Sequence, residues 1–227
     1  MAEEKVNKGI DIEEGLGKAQ LFIDNNKNAV MIGGGVVLAV VIGLIYFFQF
    51  YLPDQNVKAQ KAMYMAEFAF GKDSFALALN GQTLGANPYK GFASVAKDFG
   101  MTKAGKLANY YAGICCLNLN KYDEAISYLD KFSTKDPIIG ALKLNATGDA
   151  YMELGKTEDG IKYYEKAAAF SDNESYTPYF LFKTGMALEK ANKPAEAKEY
   201  YEKVRDQYPK SEESQKIEAY IARVSAE

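Results

Sequence analysis

Hydrophobic and polar positions follow two regimes along this chain. From Ala29 to Phe48, AVMIGGGVVLAVVIGLIYFF, twenty consecutive residues carry no charge. At a rise of about 1.5 Å per residue, a helix of that length spans roughly 30 Å, the thickness of a bilayer's hydrocarbon core. The pattern predicts one transmembrane helix, 29–52, closed by the aromatic belt and proline of Gln49, Phe50, Tyr51, Leu52 and Pro53. A cleaved secretory signal needs a short basic leader and a small-x-small site. The leader 1–28 instead holds 4 basic and 6 acidic side chains, so the stretch is read as an uncleaved anchor rather than a signal peptide or a buried core helix. Within the leader, Ile12, Leu16, Ala19 and Ile23 share one helical face, which predicts a short amphipathic helix on the bilayer surface or on a partner.

After the span, apolar residues recur every three or four positions, and the pattern repeats. Three segments align: YAGICCLNLNKYDEAISYLDKFSTKDP from Tyr111, ATGDAYMELGKTEDGIKYYEKAAAFSD from Ala146, and KTGMALEKANKPAEAKEYYEKVRDQYP from Lys183. Each has an early glycine in a first helix (Gly113, Gly148, Gly185) and, twelve residues on, a small residue in a second (Ala125, Gly160, Ala197). Helices cross closely only where neither carries bulk, so these pairs mark crossing points. Between the helices stand Asn120, Gly155 and Asn192 at one offset. Asn and Gly accept the left-handed backbone that ends one helix and starts the next.

This constellation resembles the tetratricopeptide repeat, 34 residues of helix-turn-helix, over residues 104–210. The resemblance implies an all-α fold: a single N-terminal transmembrane helix, linker helices and a degenerate repeat over 53–103, then an α-solenoid of three repeats and a C-terminal capping helix over 104–227. The degenerate repeat is placed with its first helix at 73–81 and its second at 90–100, after a longer amphipathic helix near 56–70; the cap is KSEESQKIEAYIARVSAE, with Ile217, Tyr220 and Ile221 at helical spacing. In such repeats the first helices line the concave side. Projected here, that register selects Leu107, Tyr110, Ile114 and Leu117, then Leu142, Asn145, Asp149 and Met152, then Tyr179, Phe182, Met186 and Glu189 as a partner or peptide groove. The alternative is that residues 56–80 fold back and cover these positions. The Lys and Asn clamp by which some repeats of this family hold a chaperone's terminal carboxylate is not expected, because Tyr110 and Ile114 stand in its places.

Composition narrows the chemistry. The chain of 227 residues has no histidine and no tryptophan, and its two cysteines, Cys115 and Cys116, are helix neighbours that point apart. With no histidine, Ser-His and Cys-His nucleophile pairs and the usual zinc sites are excluded, and neither a phosphate loop nor a nucleophile elbow appears. The expectation is no enzyme, no cofactor and no metal. A net charge of −3 argues against a nucleic-acid partner.

Lysines flank the span on both sides, Lys18 and Lys27 before it and Lys58, Lys61 and Lys72 after it, so charge alone leaves orientation open. Gly35, Ala39 and Gly43 form a small-xxx-small stripe that would admit another membrane helix. The leader, the span, KDSFALALNG and TKAGKLANYYAGICCLNLNKYDEAISYLDKF together resemble YfgM-type ancillary subunits of the SecYEG translocon, in particular the tetratricopeptide-repeat membrane proteins of Bacteroidota. That resemblance implies a single-pass protein of the bacterial inner membrane, N-terminus cytoplasmic and repeats periplasmic. It implies as partners the translocon, periplasmic chaperones or prolyl isomerases, and a role as an adaptor or chaperone-like factor for emerging secreted chains. The competing expectation is a structural scaffold for an envelope or division complex.

Overall fold

The computed structural model describes residues 12–84, 87–170 and 172–226. Leader residues 1–11 and the side chain of Ile12 therefore lie outside the described residues. The chain divides into two compact units, Met1–Pro53 and Asp54–Glu227.

In the first unit, helix α1 (Ile12–Asn25) is followed by α2 (Lys27–Tyr46). Between them Asn26 leaves helical geometry, its side-chain amide donating to the Phe22 carbonyl at 3.0 Å. Helix α2 buries none of its residues, and Val36, Val37, Leu38, Val40 and Ile42 are each more than half exposed. A helix inside a soluble core is not placed that way. At Phe47–Tyr51 the backbone widens into a π turn, in which the Leu52 N–H donates five residues back to the Phe47 carbonyl. The expected helix stop at Pro53 is not observed: helix continues as α3 (Leu52–Phe70). A proline ring collides with the carbonyl four residues earlier in a regular α-helix, and the wider turn ahead of Pro53 shifts those carbonyls out of its way.

The second unit contains the rest of α3, α4 (Phe75–Asn80) and α5 (Phe92–Asp98). It continues through α6 (Lys103–Asn118), α7 (Tyr122–Lys131), α8 (Pro137–Glu153), α9 (Thr157–Phe170), α10 (Thr177–Lys190), α11 (Pro194–Gln207) and α12 (Ile217–Ser225). A feature not foreseen in an all-helical reading is the two-residue antiparallel ladder that joins α4 to α5, with Gly81 opposite Lys90 and Gln82 opposite Tyr89. Residues 56–80 pack against α6: Phe70 meets the Tyr111 ring edge-on at 5.2 Å, and the Asn56 side-chain oxygen accepts from the Ala104 N–H at 2.8 Å.

Helices α6–α7, α8–α9 and α10–α11 form three hairpins. Their turns sit where the sequence places them: Asn120, Gly155 and Asn192 have φ of 60°, 73° and 59°. In each, the next residue (Lys121, Lys156, Lys193) donates its N–H to the carbonyl five residues earlier, which satisfies a helix-end acceptor. The hairpins close over their glycines. A Cβ on Gly113 would lie 2.6 Å from Leu129 Cγ, one on Gly148 2.6 Å from Tyr164 Cδ1, and one on Gly185 2.4 Å from Tyr201 Cε1. Each repeat thus seats one large side chain of its second helix against bare backbone of its first.

Polar contacts between the second and third hairpins, and between the third and α12, repeat the sequence period. Lys183 to Asp149, Lys193 to Glu158, Tyr200 to Glu165, Tyr208 to Asp172 and Arg223 to Glu189 join residues 34 to 36 apart. Helix α12 closes the series, burying Ile217, Ile221 and Val224.

Candidate partner-binding surface

The first helices of the three hairpins carry the positions selected from the sequence. On α6, Leu107, Tyr110, Ile114 and Leu117 are half-buried. Tyr110 packs on Phe132 at 5.4 Å and Tyr111 at 5.7 Å, and burial, then Tyr111, raises its phenol above the ordinary value. On α10, Tyr179 is 40% and Met186 46% exposed, the most open apolar side chains of the selected set.

Two positions are corrected. Phe182 is only 8% exposed, because Tyr220 of the closing helix stands edge-on to its ring at 4.8 Å and Tyr201 lies at 5.8 Å. The side chain covering it comes from α12, not from residues 56–80. Asn145 is buried as well, with its side-chain nitrogen 3.3 Å from Asp149 and its oxygen without a partner among the described residues. Helical spacing alone gives a face but not what a neighbouring helix lays over it. The open apolar positions of α10 are Tyr179 and Met186, and the half-buried Lys183 stands between them where Phe182 was expected. Glu189 is also engaged, holding Arg223 at 2.6 Å and accepting from Tyr201 OH at 2.8 Å.

What the fold does bring together is a cavity of about 520 Å³. Leu117 comes from the first repeat, Asp149 and Met152 from the second, and Lys183 from the third. The Asp149 carboxylate accepts from Tyr164 OH at 2.5 Å and pairs with the Lys183 ammonium, which also lies 4.6 Å from the Tyr164 ring centre. Burial first, then the adjacent carboxylate, holds the Tyr164 phenol well above its usual range. This network ties the second repeat to the third, and Met152 and Leu117 form the apolar wall beside it. Lys183 was not singled out from sequence; its only signal was a lysine in an otherwise apolar helical stripe.

In α2, Gly35 and Gly43 have open space where a Cβ would stand, and Ala39 between them is exposed. Among the described residues no group of three or more Cys, Asp or Glu side chains is arranged to hold a metal ion.

Residues 144–173 and 179–211 match family models of the tetratricopeptide repeat. These are the second and third hairpins. The fold also matches a crystal structure of nearly identical TPR-like repeats, described as a kinesin light chain of Podosopora anserina, at TM-score 0.51 and 12% identity, over 78% of this chain and 85% of that one. No curated protein matches the chain. The chain carries tetratricopeptide repeats in an all-helical, solenoid-like array, and repeats of this class bind protein partners.

Proposed function

We propose that this protein is a membrane-tethered adaptor, with α2 crossing the bacterial inner membrane once, the leader cytoplasmic and the repeats periplasmic. Its repeats dock proteins that work at the Sec translocon, as the resemblance to YfgM-type subunits implies: SecYEG itself, periplasmic chaperones or prolyl isomerases, or chains emerging from the channel. The observation that supports this reading most is the pairing in one chain of an apolar helix that buries nothing with repeats of a partner-binding class. Tyr179 and Met186 offer adaptable aromatic and thioether contacts on the row of first helices.

A photo-crosslinking amino acid placed at Tyr179 or Met186 in the full chain in cells tests it, with Lys203, exposed on α11, as the reference position. Adducts with translocon subunits or newly exported chains, absent from position 203, are expected. Adducts confined to folded envelope proteins would replace this reading with the scaffold. Identical adducts from all three positions would remove the docking row.

A further inference from the structure

Where the loop after α7 passes the start of α6, Leu107, Phe132 and Ile139 floor a cavity of about 840 Å³ whose rim carries Lys103, Lys106 and Lys135. The three lysines are exposed, and among the described residues none of them forms an ion pair. The acid lining the cavity, Asp136, is committed elsewhere: its carboxylate accepts the Ile138 and Ile139 N–H groups at 2.9 Å as the cap of α8.

The positive charge is also placed against the backbone field. Lys103 is the first residue of α6, whose first turn, like those of α8 and α10, has no acid. Cations at the positive end of a helix are mildly unfavourable, and an arriving anion relieves that repulsion. Beside the lysines the chain is extended at Phe132 and Asp136, and the Ser133 and Lys135 N–H groups make no hydrogen bond among the described residues. An apolar floor, a cationic rim and unpaired backbone donors in the adjoining loop match three features of a peptide at once.

We propose that this cavity receives an acidic, partly apolar peptide segment of a partner protein. Its carboxylates meet Lys103, Lys106 and Lys135, a large apolar side chain rests on Leu107, Phe132 and Ile139, and its carbonyls face the free N–H groups of the loop. The inference rests on the reading of the repeats as a docking module and names the partner chemistry at one end of that module.

The test is fluorescence anisotropy on the full chain in a neutral detergent, with a fluorescein-labelled peptide Glu-Glu-Leu-Phe-Glu-Glu as probe. The triple variant K103Q/K106Q/K135Q changes only exposed side chains and is expected to keep its circular dichroism while binding falls about tenfold or more, the loss expected when several complementary charges are removed. The glutamine counterpart, Gln-Gln-Leu-Phe-Gln-Gln, and the counterpart without apolar residues, Glu-Glu-Ser-Gly-Glu-Glu, are each expected to bind more weakly than the probe. Unchanged binding by the triple variant, or equal binding of either counterpart, would overturn the proposal. So would competition by mixed micelles of the detergent and phosphatidylglycerol that depends on the same lysines, because the site would then serve a lipid surface. Crosslinking from Tyr179 and Met186 separates the two levels. If adducts persist while the peptide fails to bind, the acidic segment is wrong and the docking module stands.

Discussion

At Gly185 the two helices of the third repeat come into direct contact with no room for a methyl group. The atom it would strike belongs to Tyr201, which is fully buried, locked between Phe182 and Tyr220 and bonded to Glu189. Gly185→Ala is expected to destabilise the protein by about 1–3 kcal/mol, the usual cost of overpacking a filled core, read as a lower urea midpoint; an unchanged midpoint would show that Tyr201 can move. Glycines of this kind, and the turn residues Asn120, Gly155 and Asn192, were legible in the sequence because the backbone demand is written in the residue type. Phe182 and Asn145 were not, since their burial depends on side chains from other helices. Cys115 and Cys116 illustrate a second residue-scale consequence. Burial, with a smaller effect of the neighbouring thiol, pushes Cys115 from 9.0 up to about 12. Burial, then Glu124, pushes Cys116 up to about 11. A raised thiol pKa favours the fold while the thiol is protonated, so this stability is fully present below pH 9 and is lost as pH rises through 11 to 12. The native protein is expected to resist maleimide labelling at neutral pH, with both thiols reacting after denaturation; rapid native labelling would contradict their burial.

The hairpin is the unit in which these residues act. Asn192 holds a left-handed backbone between α10 and α11, a conformation that costs a residue with a Cβ about 1–2 kcal/mol unless its side chain is suited to it. Asn192→Ala is therefore expected to lower stability by about 1 kcal/mol and Asn192→Gly by less, with thermal midpoints giving the order; the reverse order would mean that the turn is held by something other than its backbone. Helix α12 is the terminal lid, covering Phe182 and the second-helix face of the third repeat. Deleting residues 211–227 is expected to increase binding of a hydrophobic dye and to lower the melting temperature, whereas a truncated chain with neither change would leave α12 without a capping role. The π turn before Pro53 and the Gly81–Lys90 ladder were not legible. The first arises from how carbonyls rearrange around a proline ring, and the second from backbone pairing across a loop, neither of which leaves a mark in hydrophobic periodicity.

From the second hairpin to the end of the array the sequence period reappears as physical contacts, polar bonds 34 to 36 residues apart that join the second hairpin to the third and the third to α12. Each hairpin satisfies part of its polar and apolar surface on its neighbour, so stability is expected to pass along the series rather than reside in one central core. The site was only partly legible for the same reason: register along one helix predicts which residues face outward, but the cavity shared by Leu117, Asp149 and Lys183 exists only once three repeats are stacked. The first unit poses a different question, because the apolar side chains of α2 are exposed and none of its residues is buried. Water is a costly solvent for such a helix at about 25 cal/mol per Å² of apolar surface, and a bilayer is the environment that matches its length. The most direct measurement is alkaline carbonate extraction of membranes from cells making the full-length chain. Retention in the membrane pellet, with release only by detergent, is expected of a spanning tether. Recovery of the intact chain in the carbonate-soluble fraction would contradict it.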